Sequence, residues 1–170
     1  MVQVRILGVA LDALQQHIVL LTPLPEESDE ARVLPIWIGE QEATSILIGL
    51  SDGQAPRPLS HDLMKTLLDT LGAQVEQIEV TRIEDGTFYA EVTLATPFGP
   101  RTVDARPSDA IALAVRFAAP IFVADQVLDE AGIPAAMVDR GATQDEAEDE
   151  QRLDEFKQFL ENVDPEDFQG

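Results

Sequence analysis

Residues 102 to 117, TVDARPSDAIALAVRF, set an arginine, a proline, a serine and an aspartate at the junction between an extended run and a helix. The free N–H groups of a helix's first turn favour anions, and Arg106 and Ser108 add donors at the same place. Asp109 in that turn is either a carboxylate available for chemistry or a partner of the helix dipole. Arg106 precedes a proline and so sits on extended backbone, where it suits a phosphate or pairs with Asp104 or Asp109. Arg57 and Ser108 are further candidate phosphate contacts, with helix capping as the other role for Ser108. The pair His61-Asp62 opens another helix. Imidazole as a group exchanges a proton near neutral pH and a carboxylate can hold a metal, but neighbours on a helix point about 100° apart and do not face one target. An earlier junction, GEQEA at 39–43, carries Glu42, which falls on Asp109 when the two junctions are superposed. That match reads either as an internal βββα duplication or as the shared grammar of strand-to-helix junctions.

The elements that must position these groups follow from pattern. Val2, Val4 and Ile6 alternate as in a half-buried strand, HIVLLTP at 17–23 is its hairpin partner, and RVLPIWI at 32–38 is a third strand before Gly39. Ala43, Ile46, Leu47 and Leu50 have helical spacing, and SDGQAPRPL at 51–59 breaks that helix. Ser60 is placed to cap a second helix with the apolar face Leu63, Met64, Leu67, Leu68 and Leu71, and Gly72 stands where a C′ glycine belongs. QVEQIEVTRI, Asp85-Gly86 and TFYAEVTLA form a hairpin, because a type I′ turn wants positive φ at both central residues. RTVDA is a third strand into the helix that Pro107 and Ser108 open, and PIFVA is a short buried strand. Trp37 and Phe88 are assigned to core packing, with base stacking as the other reading, and His17 to a structural or exposed strand position.

Composition narrows the chemistry. Without cysteine there is neither a disulfide nor a thiolate zinc site, so a metal would rest mainly on carboxylates, which suits magnesium or manganese. Thirty-two acidic residues against 11 basic ones give −21, and the tail does not account for it: residues 139 to 170 carry 12 acidic and 3 basic groups, leaving −12 on residues 1 to 138. Such a field repels polyanions, although Arg57, Arg101, Arg106 and Arg116 near the motifs leave room for a local positive groove. No charged-then-apolar leader and no run of membrane-span length is visible, so a cytoplasmic location without membrane contact is expected. Leu153, Phe156, Phe159 and Leu160 make a stripe at helical spacing in the acidic tail.

PIWIGEQEA (35–43), SHDLMKTLLDTLGA (60–73) and the 102–117 segment, with FYAEV (88–92) and PIFV (120–123), resemble the bifunctional nuclease domain family across residues 1 to 135. Positions matching its blocks are Glu42, Arg57, His61, Asp62, Asp104, Arg106, Ser108 and Asp109. Serine at position 60 stands where threonine is common, which keeps the capping hydroxyl. The resemblance implies hydrolysis of phosphodiester bonds in DNA and RNA and association as dimers. The resulting expectation is an α+β domain over 1–135 with a mixed or mostly antiparallel sheet, and an acidic tail over 136–170 with an amphipathic helix. Glu42, His61, Asp62 and Asp109 would be catalytic, with magnesium or manganese on Asp109 and Glu42, and Arg57, Arg106 and Ser108 would bind phosphate. The alternative is a non-enzymatic dimeric binding or regulatory module for a small anion or a protein partner.

Overall fold

The structure, a computed structural model, describes residues 1–24, 32–51, 55–135 and 137–138. Two compact units divide the chain, Met1–Ile133 and Pro134–Gly170. The C-terminal amphipathic helix expected around Leu153 to Leu160 lies outside the described residues.

The first unit is α+β. It opens with an antiparallel meander of β1 (Val2–Leu11), β2 (His17–Pro23) and β3 (Arg32–Trp37), which runs into α1 (Glu40–Leu50). After α2 (Ser60–Thr70) a second meander of β4 (Gln74–Glu84), β5 (Thr87–Ala95) and β6 (Arg101–Ala105) runs into α3 (Pro107–Phe117). β7 (Ile121–Val123) joins the halves, lying parallel to β4 and antiparallel to β1, and α4 (Asp125–Ala131) and β8 (Ile133–Pro134) follow. The sheet order is β6-β5-β4-β7-β1-β2-β3-β8, mixed and mostly antiparallel. Among the described residues no helix is long and apolar enough to cross a membrane.

Local chemistry explains the turns. Asp85 and Gly86 have φ of 50° and 76°, so the β4–β5 link has the positive φ that a type I′ turn needs. Gly72 follows α2 with φ of 70° and accepts the left-handed step that other residues resist. The start of α2 differs from expectation. Ser60 is already helical, and the orphan N–H of Leu59 donates instead to Asp62 Oδ2 at 2.9 Å. A carboxylate at the third helical position reaches back to the N-cap N–H, which is the acidic half of a capping box.

The core lies between the sheet and α3. Leu21, Leu34, Ile36, Ile78, Val80 and Val123 are fully buried from the strands, and Ala110, Ile111, Ala112 and Ala114 are buried from α3. The alanines let α3 approach β4, β5, α1 and α2 closely. α2 is held differently: His61 is its one buried residue, while Leu63, Met64, Leu67 and Leu71 face outward. Ile111→Ala, at the centre of this contact, should lower the unfolding free energy by about 3 kcal/mol in urea titrations, since partial collapse leaves most of the vacated volume empty.

Candidate active site

Three helices bring the chemistry together. Glu42 and Ser45 lie on α1, one turn apart and on one face. Gly39, at the N-cap of α1, leaves room for Glu42 to fold back, because a Cβ there would collide with Glu42 Oε2. His61 comes from the first turn of α2, Asp109 from the first turn of α3, and Arg106 is the extended residue that caps α3. Glu42, Ser45, His61, Met64, Arg106 and Asp109 line a cleft of about 700 Å³.

His61 is 6% exposed and bonded at both ring nitrogens: Ser45 Oγ lies 2.7 Å from Nδ1 and Asp109 Oδ1 lies 2.9 Å from Nε2. Burial pushes the Asp109 carboxyl up, but hydrogen bonds from Arg106 and His61 outweigh it and hold the group below the ordinary carboxylate range. Asp109 is therefore an acceptor at neutral pH. The network accordingly assigns the proton of neutral His61 to Nε2, and Nδ1 accepts from the Ser45 hydroxyl. Arg106 Nε donates to Asp109 Oδ2 at 2.7 Å and Nη2 to Glu42 Oε1 at 3.1 Å, so of the two readings for Arg106, pairing with Asp109 is realised. These bonds use two of its five N–H donors, and the side chain is 66% exposed at the cleft.

Asp62 turns away, as the helical angle between neighbours requires. Its Oδ1 accepts from Arg116 Nε at 2.6 Å, and Arg116 Nη1 also donates to the carbonyls of Ser45 (3.2 Å) and Ala112 (2.9 Å). The Arg116 hydrogen bond first, then the Leu59 N–H, hold the Asp62 carboxyl below its usual range. Arg57 is exposed in the segment before α2, and Ser108 is buried at the second helical position of α3 rather than capping it. The structure thus gathers Glu42, His61, Arg106 and Asp109, and leaves Asp62, Arg57 and Ser108 outside that cluster. Ser45 and Arg116 are the residues that sequence reasoning did not assign. The usable signals were Ser45 one turn after Glu42, and a charged residue at 116 in a helix that is otherwise apolar after Asp109.

Magnesium or manganese on Asp109 and Glu42 does not fit this arrangement. The Arg106 guanidinium bridges the two carboxylates, so a positive charge already stands between them, and both Asp109 oxygens accept N–H bonds. Among the described residues no three His, Cys, Asp or Glu side chains gather as a ligand set.

The site is a buried imidazole between a hydroxyl and a carboxylate, with an exposed guanidinium at the cleft, in an α+β protein. The profile of the bifunctional nuclease domain family matches residues 23–136, and the chain belongs to that family. An uncharacterized protein of Mycobacterium tuberculosis is 39% identical over 170 residues, covering 99% of this chain and 98% of that one. Bifunctional nuclease 2 of Arabidopsis thaliana is 31% identical over 104 residues, 59% of this chain and 31% of that protein. Bifunctional nuclease 1 of Oryza sativa subsp. japonica is 28% identical over 115 residues, 66% of this chain and 34% of that protein. The match therefore spans about a third of each plant protein.

Asp62 and Asp109 have different jobs, and stability separates them. Asp62→Ala leaves the buried Arg116 charge, 5% exposed, without its carboxylate and should cost about 2 kcal/mol, the lower side for such a loss because Asp62 is 34% exposed. Because the folded carboxyl titrates below its ordinary 3.8, its contribution is full above that pH and fades as pH falls through the lower folded value. The gap in urea midpoint between wild type and Asp62→Asn should be largest at neutral pH and close in acid.

Proposed function

We propose that this protein is a cytoplasmic nuclease that hydrolyses phosphodiester bonds in DNA and RNA. The observation that carries the reading is the convergence of Ser45, His61, Asp109 and Arg106 in one cleft, in a chain of the bifunctional nuclease domain family. Arg106 receives the scissile phosphate on its three remaining N–H donors and stabilises the negative charge on the non-bridging phosphoryl oxygens in the transition state. Glu42 and Asp109 fix its plane.

Water enters beside Ser45. Its proton passes to Ser45 Oγ as the Ser45 proton passes to His61 Nδ1, and Asp109 stabilises the imidazolium through Nε2. The resulting hydroxide forms the new P–O bond while the bond to the leaving oxygen breaks. That oxygen takes its proton from solvent, and the imidazolium returns its own to solvent. No step passes through an ion at Glu42 and Asp109.

With protein freed of contaminating nucleases, wild type should cut both single-stranded DNA and RNA. His61→Ala and Asp109→Asn should lose about 10²- to 10⁴-fold in kcat while retaining a folded far-UV spectrum, and Ser45→Ala about tenfold or more. Cutting should persist in EDTA. Full activity in the His61 and Asp109 variants would reject the assignment, and cutting that vanishes in EDTA and returns with magnesium or manganese would replace the metal-free route.

The absence of any cutting would instead favour the non-enzymatic module for a small anion.

The proposal includes a homodimer through α2, whose Leu63, Leu67 and Leu71 form one stripe at 52, 54 and 73% exposure. Light scattering should give twice the chain mass for wild type and one chain mass for the double variant Leu63→Glu, Leu67→Glu. A wild-type monomer, or a dimer that survives both changes, would reject this interface.

A further inference from the structure

Beside the cleft lies a second groove of about 690 Å³, and Glu40 and Arg106 line both. The end of β3, the β1–β2 turn, the β4–β5 turn and the start of α3 enclose it. Trp37, expected in the core, stands here instead and is 54% exposed. An indole so exposed forgoes much of the burial that would stabilise it, which calls for another account of its place.

The ring is held. Trp37 Nε1 donates to Asp12 Oδ2 at 2.9 Å, and Asp12 is itself fixed because its Oδ1 accepts from Leu14 N at 2.8 Å and Gln16 N at 2.9 Å. The Ile38 N–H donates to the His17 carbonyl at 3.0 Å and ties the backbone beside the ring to β2. Half-buried Phe88 and His17 line the same groove. The polar edge of the indole is thus satisfied by the protein, and the ring is a pre-ordered flat apolar surface.

Charge points the same way. In a chain of net charge −21, Glu40 is the only carboxylate lining this groove among the described residues, with Asp12 engaged at the indole edge. A polyanion entering here meets one lining carboxylate and the exposed Arg106 guanidinium, whose three remaining N–H donors can bind a phosphate.

We propose that Trp37 is the stacking platform of a nucleobase subsite, occupied by an unstacked base next to the phosphate held on Arg106. This rests on the nuclease reading for its chemistry and adds a substrate class: single-stranded nucleic acid. A base within a duplex is already stacked on its neighbours and presents no free face to the indole, whereas every base of a single strand does.

Trp37 is the only tryptophan in the sequence, so its fluorescence reports the subsite directly. Wild-type full chain is titrated with a hydrolysis-resistant phosphorothioate oligothymidylate of about ten nucleotides, and with an abasic phosphorothioate of equal length and charge. The thymidylate should quench the indole saturably and the abasic chain should not. Trp37→Ala should weaken binding of labelled thymidylate about tenfold or more, with Trp37→Phe intermediate because a ring remains. Matching thermal midpoints keep the comparison free of unfolding. On a cleavable single strand the Ala variant should raise KM and leave kcat nearly unchanged.

Equal quenching by the abasic chain, or wild-type affinity in Trp37→Ala, overturns the subsite. The two readings separate cleanly. Base-dependent quenching in a protein that cuts nothing upholds the platform and removes the nuclease, and cutting with an unaltered KM in Trp37→Ala does the reverse.

Discussion

A single buried guanidinium ties the three helices of the site together. Arg116, from the last turn of α3, reaches Asp62 on α2, the Ser45 carbonyl on α1 and the Ala112 carbonyl of its own helix. Its side chain is 5% exposed, so the charge is stable there only while these partners remain. Gly49 makes the arrangement possible, since a Cβ at that position would press on Arg116 Nη1 and Val115. α2 depends on this tie more than the other helices do, because its apolar side chains other than Leu68 contribute little to the core.

The tie and the cleft meet at Ser45. Its carbonyl belongs to the network around Arg116, and its hydroxyl is hydrogen-bonded to His61 Nδ1. Positioning of the imidazole is thereby coupled to helix packing over a few ångströms. On the other side of His61 the groups run in a chain of hydrogen bonds, imidazole to carboxylate, carboxylate to guanidinium and guanidinium to a second carboxylate. That chain lets an acidic protein present a guanidinium at a cleft, although the same carboxylates draw down part of its charge.

Where local chemistry decided an outcome, the sequence was legible. The β4–β5 turn and the end of α2 rest on residues that accept positive φ, and the start of α3 rests on a proline whose missing N–H costs nothing at that position. At the start of α2 the boundary lies one residue earlier than the expected Ser60 cap: Leu59 is the N-cap, Ser60 is already helical, and Asp62 accepts from the Leu59 N–H. Trp37 was misassigned to the core because alternation along a strand says nothing about what covers its last residue. Composition likewise shows that carboxylates are available at Glu42 and Asp109 but not that a guanidinium stands between them.

The sequence by itself determined the α+β class and the order of elements from β1 to β7, and it singled out Glu42, His61, Arg106 and Asp109 as candidates, because periodicity, turn residues and junction motifs act over a few positions along the chain. Tertiary structure alone decided that α1, α2 and α3 converge, that Ser45 completes the imidazole's partners, that Asp62 serves Arg116, and that Trp37 stands at a groove. Those outcomes depend on contacts between residues 16 to 71 positions apart, such as Ser45 with His61 and with Arg116. Distances of that kind are set by how the helices pack on the sheet and leave no local pattern in the chain.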